Sequence, residues 1–247
     1  MTLLKTDKLR KAYGSLVVTK DVDLEIARGQ RHVVIGPNGA GKTSLVHQLT
    51  GQVRPTSGQI IFKGLEVTGA SPDLLCQMGM GRTFQKNNLF PGLSVRENVR
   101  LAVQAKKGGW YDSLRSVQSR RLQWEYADHL LESVRLSDGY ERQASNLSYG
   151  EQRQLEVAIA LASDPELLLL DEPTSGMSPA ETDRMIELVR GLPSTLAVLM
   201  IEHDMKVVFS IADRITVLYY GEVLASGSPR EIQGHARVRE VYLGGKH

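Results

Sequence analysis

The spacing of apolar residues changes period twice along this chain of 247 residues. In the opening third, apolar positions alternate over short runs. Asp23-Leu24-Glu25-Ile26 alternates one for one, Gly29 follows as a turn residue, and Ile60-Ile61-Phe62 lies between Gly58 and Gly64. A period of two punctuated by glycine predicts short strands and turns. From Ser94 the period becomes helical. Val95, Val99 and Val103 share one face, and Ser94-Val95-Arg96-Glu97 has the form of a capping box. Gly108-Gly109 breaks that run, and a second helix is predicted over Leu114 to Arg135. After Asp164-Pro165, strand and helix alternate again. Leu167 to Leu170 is apolar at every position, as a strand covered on both faces requires. Ser178-Pro179-Ala180-Glu181 supplies the N-cap, first-position proline and N3 glutamate of a helix that Gly191 closes. Further strands are predicted over Thr195 to Ile201 and Ile215 to Leu218. The pattern describes an α/β fold in one domain. Residues 1–86 and 164–247 make its core, with a strand-rich opening, and residues 87–163 a helical insertion.

Between the apolar run His32-Val33-Val34-Ile35 and a helix-forming stretch from Ser44 to Leu49 lies Gly36-Pro37-Asn38-Gly39-Ala40-Gly41-Lys42-Thr43. This matches G-x-x-x-x-G-K-[ST] in a strand-to-helix setting. Its glycines let the backbone turn tightly and aim N–H groups at phosphate oxygens. The following helix adds the positive end of its dipole. Lys42 supplies a point charge for the β- and γ-phosphates, and the Thr43 hydroxyl is suited to Mg²⁺. Residues Gly36 to Ser44 are thus the predicted cradle of a nucleoside triphosphate.

Composition narrows the setting. A formal net charge of +2 makes no strong field for nucleic acid or anionic lipid, so no nucleic-acid partner is expected. Cys76 is the sole cysteine, which excludes an intrachain disulfide and suits a reducing compartment. The start, Met1-Thr2-Leu3-Leu4-Lys5-Thr6-Asp7, lacks the apolar core of a signal peptide. Leu167 to Leu170 and Leu196 to Ile201 are too short to span a bilayer. Any service to a membrane is expected from its cytoplasmic face, as a peripheral protein.

A phosphate loop is shared by many families. The discriminating segments are Leu147-Ser148-Tyr149-Gly150-Glu151-Gln152-Arg153 and Leu167-Leu168-Leu169-Leu170-Asp171-Glu172-Pro173. The first resembles the signature peptide of ABC-type ATPases, and the second their Mg²⁺-binding strand with its adjoining catalytic glutamate. Gln85, in Arg82-Thr83-Phe84-Gln85, is similar to the family's Q-loop. His203, in Ile201-Glu202-His203-Asp204, is similar to its switch histidine, and Tyr13 to the aromatic that stacks on adenine. The motifs occur in the family's order over almost the whole chain.

The resemblance implies a RecA-like P-loop ATPase core with an antiparallel β subdomain and an inserted α-helical subdomain. It implies ATP and Mg²⁺ as ligands. Thr43, Gln85 and Asp171 would serve the metal, Glu172 would polarise the attacking water, His203 would contact the γ-phosphate, and Gln85 would link the site to the helical part. Ser148, Gly150 and Glu151 would face ATP held by a second subunit, so a homodimer, or a heterodimer with a paralogue, is implied. Each residue also has a plainer reading. Ser148 with Glu151 is a sound capping box, Gln85 a polar loop residue, His203 a helix cap and Tyr13 partial core.

Tyr149, Glu151 and the run Gln152-Arg153-Gln154-Leu155-Glu156 resemble the form found in importers of branched-chain amino acids and related solutes such as urea. So do Arg82-Thr83-Phe84-Gln85, Ile201-Glu202-His203-Asp204-Met205 and the terminal Val241-Tyr242-Leu243-Gly244, the last shared with lipopolysaccharide-export ATPases. Ser178 stands where many relatives carry aspartate. Partners implied are integral membrane permeases on the helical part and, indirectly, an extracytoplasmic solute-binding protein. Trp110, Tyr111, Trp124 and Tyr126 suit either a permease contact or the helical part's own core. Arg115, Arg120 and Arg121 suit a solvated face or lipid head groups. A soluble ABC protein acting on DNA or ribosomes, and a small-molecule kinase, are the rivals from other classes.

Overall fold

The computed structural model describes residues 1–83, 89–106 and 117–243. Strands β1 (Thr2–Tyr13) and β2 (Leu16–Ala27) form a hairpin, and β3 (Arg31–Ile35) runs through the phosphate loop into α1 (Lys42–Leu49). Next come β4 (Ser57–Phe62), β5 (Leu65–Glu66), α2 (Pro72–Gln77) and β6 (Met80–Arg82). The helical stretch holds α3 (Val95–Lys106), α4 (Val117–Ser133) and α5 (Tyr149–Leu161). The chain continues as β7 (Leu167–Asp171), α6 (Pro179–Gly191), β8 (Ala197–Ile201), α7 (Met205–Ile211), β9 (Arg214–Tyr219), β10 (Glu222–Gly227) and α8 (Pro229–Gly234).

Among the described residues one sheet is antiparallel, in the order β2-β1-β4-β5, and the other has six strands in the order β10-β9-β3-β8-β7-β6. Within the second, β9, β3, β8, β7 and β6 are parallel and β10 returns antiparallel to β9. Alternation along its buried strands divides the apolar residues between two cores. Val34, Leu167, Leu169, Leu199 and Ile201 pack with Ile26 and Phe62 of the antiparallel sheet and with Leu45 and Leu49 of α1. Val33, Ile35, Leu168, Leu170, Val198 and Met200 face the opposite way, onto Val99, Leu131, Leu155, Val189 and Val208 of the helices. Each such side chain contributes about 1.5–3 kcal/mol through burial. The helical stretch therefore shares one core with the sheet, which fixes its helices relative to the strand ends.

Two strands are longer than the sequence pattern predicts. β1 and β2 have 12 residues each, because a bulge splits their alternation into pieces. Leu4 and Thr6 are buried in one phase and Leu9 in the other. Between them Lys8 adopts φ 45°, its N–H bonds Asp23 Oδ1 at 2.7 Å, and the register shifts. α2 and β6 carry too few residues for a readable period. Of the predicted helix over Leu114 to Arg135, Val117–Ser133 is helical, while Gly108, Gly109 and Leu114 lie outside the described residues. Gly191 is the last helical residue, but its φ is not positive and the extended Leu192 ends the helix. Its role is thus not the left-handed stop predicted for it.

His32 of β3 is buried, with Nε2 2.8 Å from Thr216 Oγ1. Burial and then the charge of Arg214 push its pKa from 6.5 down to about 4. The unfolded chain takes up the proton first, so this stability is complete above about pH 6.5 and lost as pH falls toward 4. The loss is about 3 kcal/mol. Melting temperature should fall across that window more steeply for the parent than for His32→Gln. Equal slopes would remove His32 from the acid response.

Candidate nucleotide site and signature helix

The parallel strands β3, β8 and β7 are neighbours, so their carboxyl ends gather three segments of chemical interest at one edge. The phosphate loop follows β3, Asp171 and Glu172 end β7, and His203 follows β8. Gly41 at the base of the loop has φ 97°, and a Cβ there would stand 2.4 Å from Val18 O. Only glycine meets both demands. While α5, α6 and α8 begin with complete capping boxes, α1 begins at Gly41 with no side-chain cap. Its first N–H groups are left for an anion.

Lys42 Nζ rests on Gly36 O at 2.6 Å and Pro37 O at 3.1 Å. Burial lowers its pKa, while Glu172 and Asp171 oppose that shift. Asn38, Gly39, Ala40, Gly41, Lys42, Thr43, Ser44 and Glu172 line one cavity of about 610 Å³. Asp171 is 4% exposed, with Oδ2 3.5 Å from Arg82 Nη2. The Arg82 guanidinium also donates to Thr50 Oγ1 at 2.9 Å and Gln52 Oε1 at 2.6 Å, tying β6 to the end of α1. Glu172 adopts φ 47° and donates its N–H to Ile201 O at 3.0 Å. A left-handed glutamate is uncommon, and such strain clusters at functional sites. His203 Nδ1 lies 4.0 Å from Glu172 Oε1.

The part of the cavity lining that lies against the phosphate loop from β2 and the β9–β10 turn escaped the sequence reading. Leu16, Val17, Val18, Lys20, Tyr220 and Gly221 complete the lining. Gly221 N–H bonds Ala40 O at 3.0 Å and Lys20 N–H bonds Gly221 O at 2.7 Å, so the β9–β10 turn braces the loop. In sequence Tyr220-Gly221 reads only as a turn. Tyr13 ends β1 opposite Leu16 and is exposed, with Lys11 Nζ 4.8 Å from its ring centroid. It pairs in the strand with Leu16 of the lining, is not itself a lining residue, and does not fill a core. Gln85 lies outside the described residues.

Ser148 caps α5, and the box with Glu151 is complete. Glu151's carboxylate accepts from Ser148 N–H at 2.7 Å and from both terminal nitrogens of Arg142 at 2.7 and 3.1 Å. Arg142 in turn holds it below the usual carboxylate range. Within the subunit, Glu151's charge is thus engaged by the turn that starts α5. Tyr149's hydroxyl accepts from Arg153 Nη2 at 2.8 Å, and its ring packs beside Gly176. These contacts give Tyr149 and Glu151 local reasons to differ from commoner signatures.

Gly150 N–H donates to Glu181 Oε1 at 3.2 Å. Bonds from Ser178, first its side chain and then its backbone, and from Gly150 keep Glu181 below the usual carboxylate range. The N-terminus of α5 therefore already holds an anionic group through Gly150, one of the residues predicted to meet a phosphate. Neither Ser148 nor Gly150 lines the cavity around Lys42. Trp124 stacks on Arg96 at 4.7 Å and Arg100 at 5.0 Å, and Tyr126 packs against the larger core. Both serve the helical stretch itself. Arg121 pairs with Glu125 on an exposed face, and Trp110, Tyr111 and Arg115 lie outside the described residues.

Comparison with known proteins decides between families. A family model described as ABC transporter matches residues 19–175, more than half of the chain. The chain belongs to the ABC transporter ATP-binding family. A second model, described as branched-chain amino acid ATP-binding cassette transporter, matches residues 222–247. The high-affinity branched-chain amino acid transport ATP-binding protein LivG of Escherichia coli K12 is 40% identical, covering 98% of both chains. The ADP conformation of MJ1267, an ATP-binding cassette of an ABC transporter, superposes with TM-score 0.85 at 26% identity, over 99% of both chains. A dimeric post-hydrolysis state of the cassette MJ0796 with ADP and Pi gives 0.76 at 26% identity, over 92% of this chain and 98% of that one. As an ABC subunit the chain binds nucleotide and couples ATP hydrolysis to transport through membrane components of a complex. No described helix is long and apolar enough to cross a membrane.

Proposed function

We propose that the chain powers import of branched-chain amino acids or a related small polar solute such as urea. Two copies, or one copy and a paralogue, would enclose two ATP molecules at the cytoplasmic side of the membrane. The observation that carries the dimer is the division of donors. Lys42, Thr43 and Glu172 share one cavity, whereas Ser148 and Gly150 form an anion-holding helix start outside it. The likeness to LivG and to the dimeric MJ0796 cassette supports the same reading.

Phosphoryl transfer to water spreads negative charge over oxygens that must be held in line. The uncapped start of α1 and Lys42 meet the β- and γ-phosphates, the ammonium leaving the carbonyls of Gly36 and Pro37 to do so. Thr43 hydroxyl and Asp171 carboxylate are hard oxygen donors that fit Mg²⁺, and phosphates and water would complete its shell. A metal held by these two residues would supply positive charge against the charge that develops on the phosphate oxygens. Glu172, about a third exposed into the cavity, takes the proton side of the attacking water. His203 stands over the γ-phosphate, and Tyr13 against adenine. Gln85 reports the state of the site to permeases seated on the helical stretch, beyond which an extracytoplasmic binding protein delivers solute.

The glycine at 150 offers a test of the outside half. A Cβ there would come 2.7 Å from Glu181 Oε1, 2.9 Å from its Cγ and 3.0 Å from its Cδ, so Gly150→Ala must displace the carboxylate that caps α6, and its melting temperature is measured beside its activity. The added methyl would crowd an incoming phosphate. ATP affinity of the isolated chain is expected to stay within about twofold while turnover drops roughly 10²-fold or more. Wild-type turnover would exclude Gly150 from the site. The solute is tested by reconstituting the complex with its permeases: leucine with its binding protein should raise ATPase activity. An unresponsive complex that instead answers to urea would move the chain to that branch.

A further inference from the structure

Glu202 lies outside the nucleotide cavity, yet it touches all three strand ends that build the site. It has no exposed surface. Its backbone N–H donates to Val34 O of β3, the strand feeding the phosphate loop, at 3.3 Å. Oε1 accepts from the N–H of Thr174 at 3.1 Å and from its hydroxyl at 2.5 Å, two residues past Glu172. Oε2 accepts from the N–H of His203 at 3.0 Å. His203 Nδ1 is equidistant, at 4.0 Å, from Glu202 Oε2 and Glu172 Oε1.

The chemistry of this cluster is selective. Both backbone partners can only donate, and the threonine hydroxyl is turned to donate as well. A buried carboxylate is costly unless its oxygens are satisfied, and charge-assisted bonds in a dry setting are strong and directional. The turn it clamps also needs a clamp, because Glu172 holds a left-handed conformation that persists only when its surroundings impose it. A bond to Ile201 O fixes the start of that turn, and Glu202 fixes its far side through Thr174.

We infer that Glu202 is a positioning residue. It sets the separation of Glu172 and His203 by strapping the loop after β7 to the loop after β8. This rests on the reading above, in which Glu172 and His203 act at the γ-phosphate. The strap touches no substrate. It holds in place two groups for which a misplacement of about 1 Å can cost roughly 10²-fold in rate. It also ties the segment leading to Ser178 and α6 to the same frame, so a change at one loop is felt at the other.

Glu202→Gln in the full chain is the test. An amide keeps the shape but turns one acceptor into a donor facing another donor. The expected result is a kcat roughly 10- to 100-fold lower, with ATP affinity within about twofold of wild type. Amide hydrogen exchange at Thr174 and His203 should rise together in the nucleotide-free protein. Placed in a His203→Ala background, the change should cost less than it does alone, since the part of its effect that runs through His203 is already lost. Wild-type kcat, an undiminished further loss in that background, or affinity falling in step with kcat would each overturn the strap. Normal turnover by His203→Ala alone would overturn the histidine's role and the strap with it. An impaired His203→Ala beside an intact Glu202→Gln overturns only the strap. Should Glu202→Gln not fold, Thr174→Val carries the same test: lowered kcat at unchanged affinity supports the strap, and wild-type kcat overturns it.

Discussion

Glu172→Gln is expected to bind ATP as tightly as the parent and to lose turnover by roughly 10²- to 10⁴-fold. The amide fills the same space and keeps the N–H to Ile201 that holds this left-handed residue in place, so the fold and the phosphate loop are untouched. What disappears is the acceptor for the water's proton. Without hydrolysis the nucleotide stays, and ATP then acts as an adhesive between subunits. Size-exclusion chromatography with ATP should show a long-lived dimer for the variant and a monomer for the parent after turnover. A variant that turns over normally would remove Glu172 from the chemistry.

Lys42→Ala is the second large effect, and it acts earlier. Each hydrogen bond to a charged group is worth about 1.5–3 kcal/mol, so losing the ammonium from two phosphates should weaken ATP binding roughly 10²-fold or more. In the nucleotide-free protein the lysine only rests on two loop carbonyls, which water can satisfy in its absence. The melting temperature should therefore move little without nucleotide, while the stabilisation added by ATP should vanish. Fluorescence titration with a labelled ATP reads the affinity directly. Unchanged binding would place the nucleotide elsewhere.

Legibility in the sequence followed length and contiguity. The strand β8 is apolar throughout and β7 is apolar up to Asp171, and α5 and α6 start on capping boxes, so the existence of these elements was plain, although β8 begins at Ala197 and not at Thr195. The phosphate loop was legible because its glycines answer a local steric demand. The hairpin of β1 and β2 was read as shorter pieces because a bulge at Lys8 shifts the phase of burial. The part of the nucleotide cavity's lining outside the phosphate loop was hidden. Val18 and Gly221 lie far apart in the chain, and only the closing of β9–β10 over β2 unites them. Glu181 was visible as a helix cap, but its second bond, to Gly150, depends on how α5 meets α6. Glu202 entered only as the residue before His203. Its burial and its reach to Thr174 are products of tertiary packing.

Two helix starts that need one nucleotide between them cannot both be filled within one chain, so catalysis should be second order in protein. ATPase activity per molecule of the isolated chain, measured over a wide dilution series at saturating ATP, tests this most directly. A specific rate that falls with dilution, and falls further when Ser148 is replaced by arginine, is the predicted result. A rate independent of concentration, with Ser148→Arg as active as the parent, would show that a single subunit completes its own site.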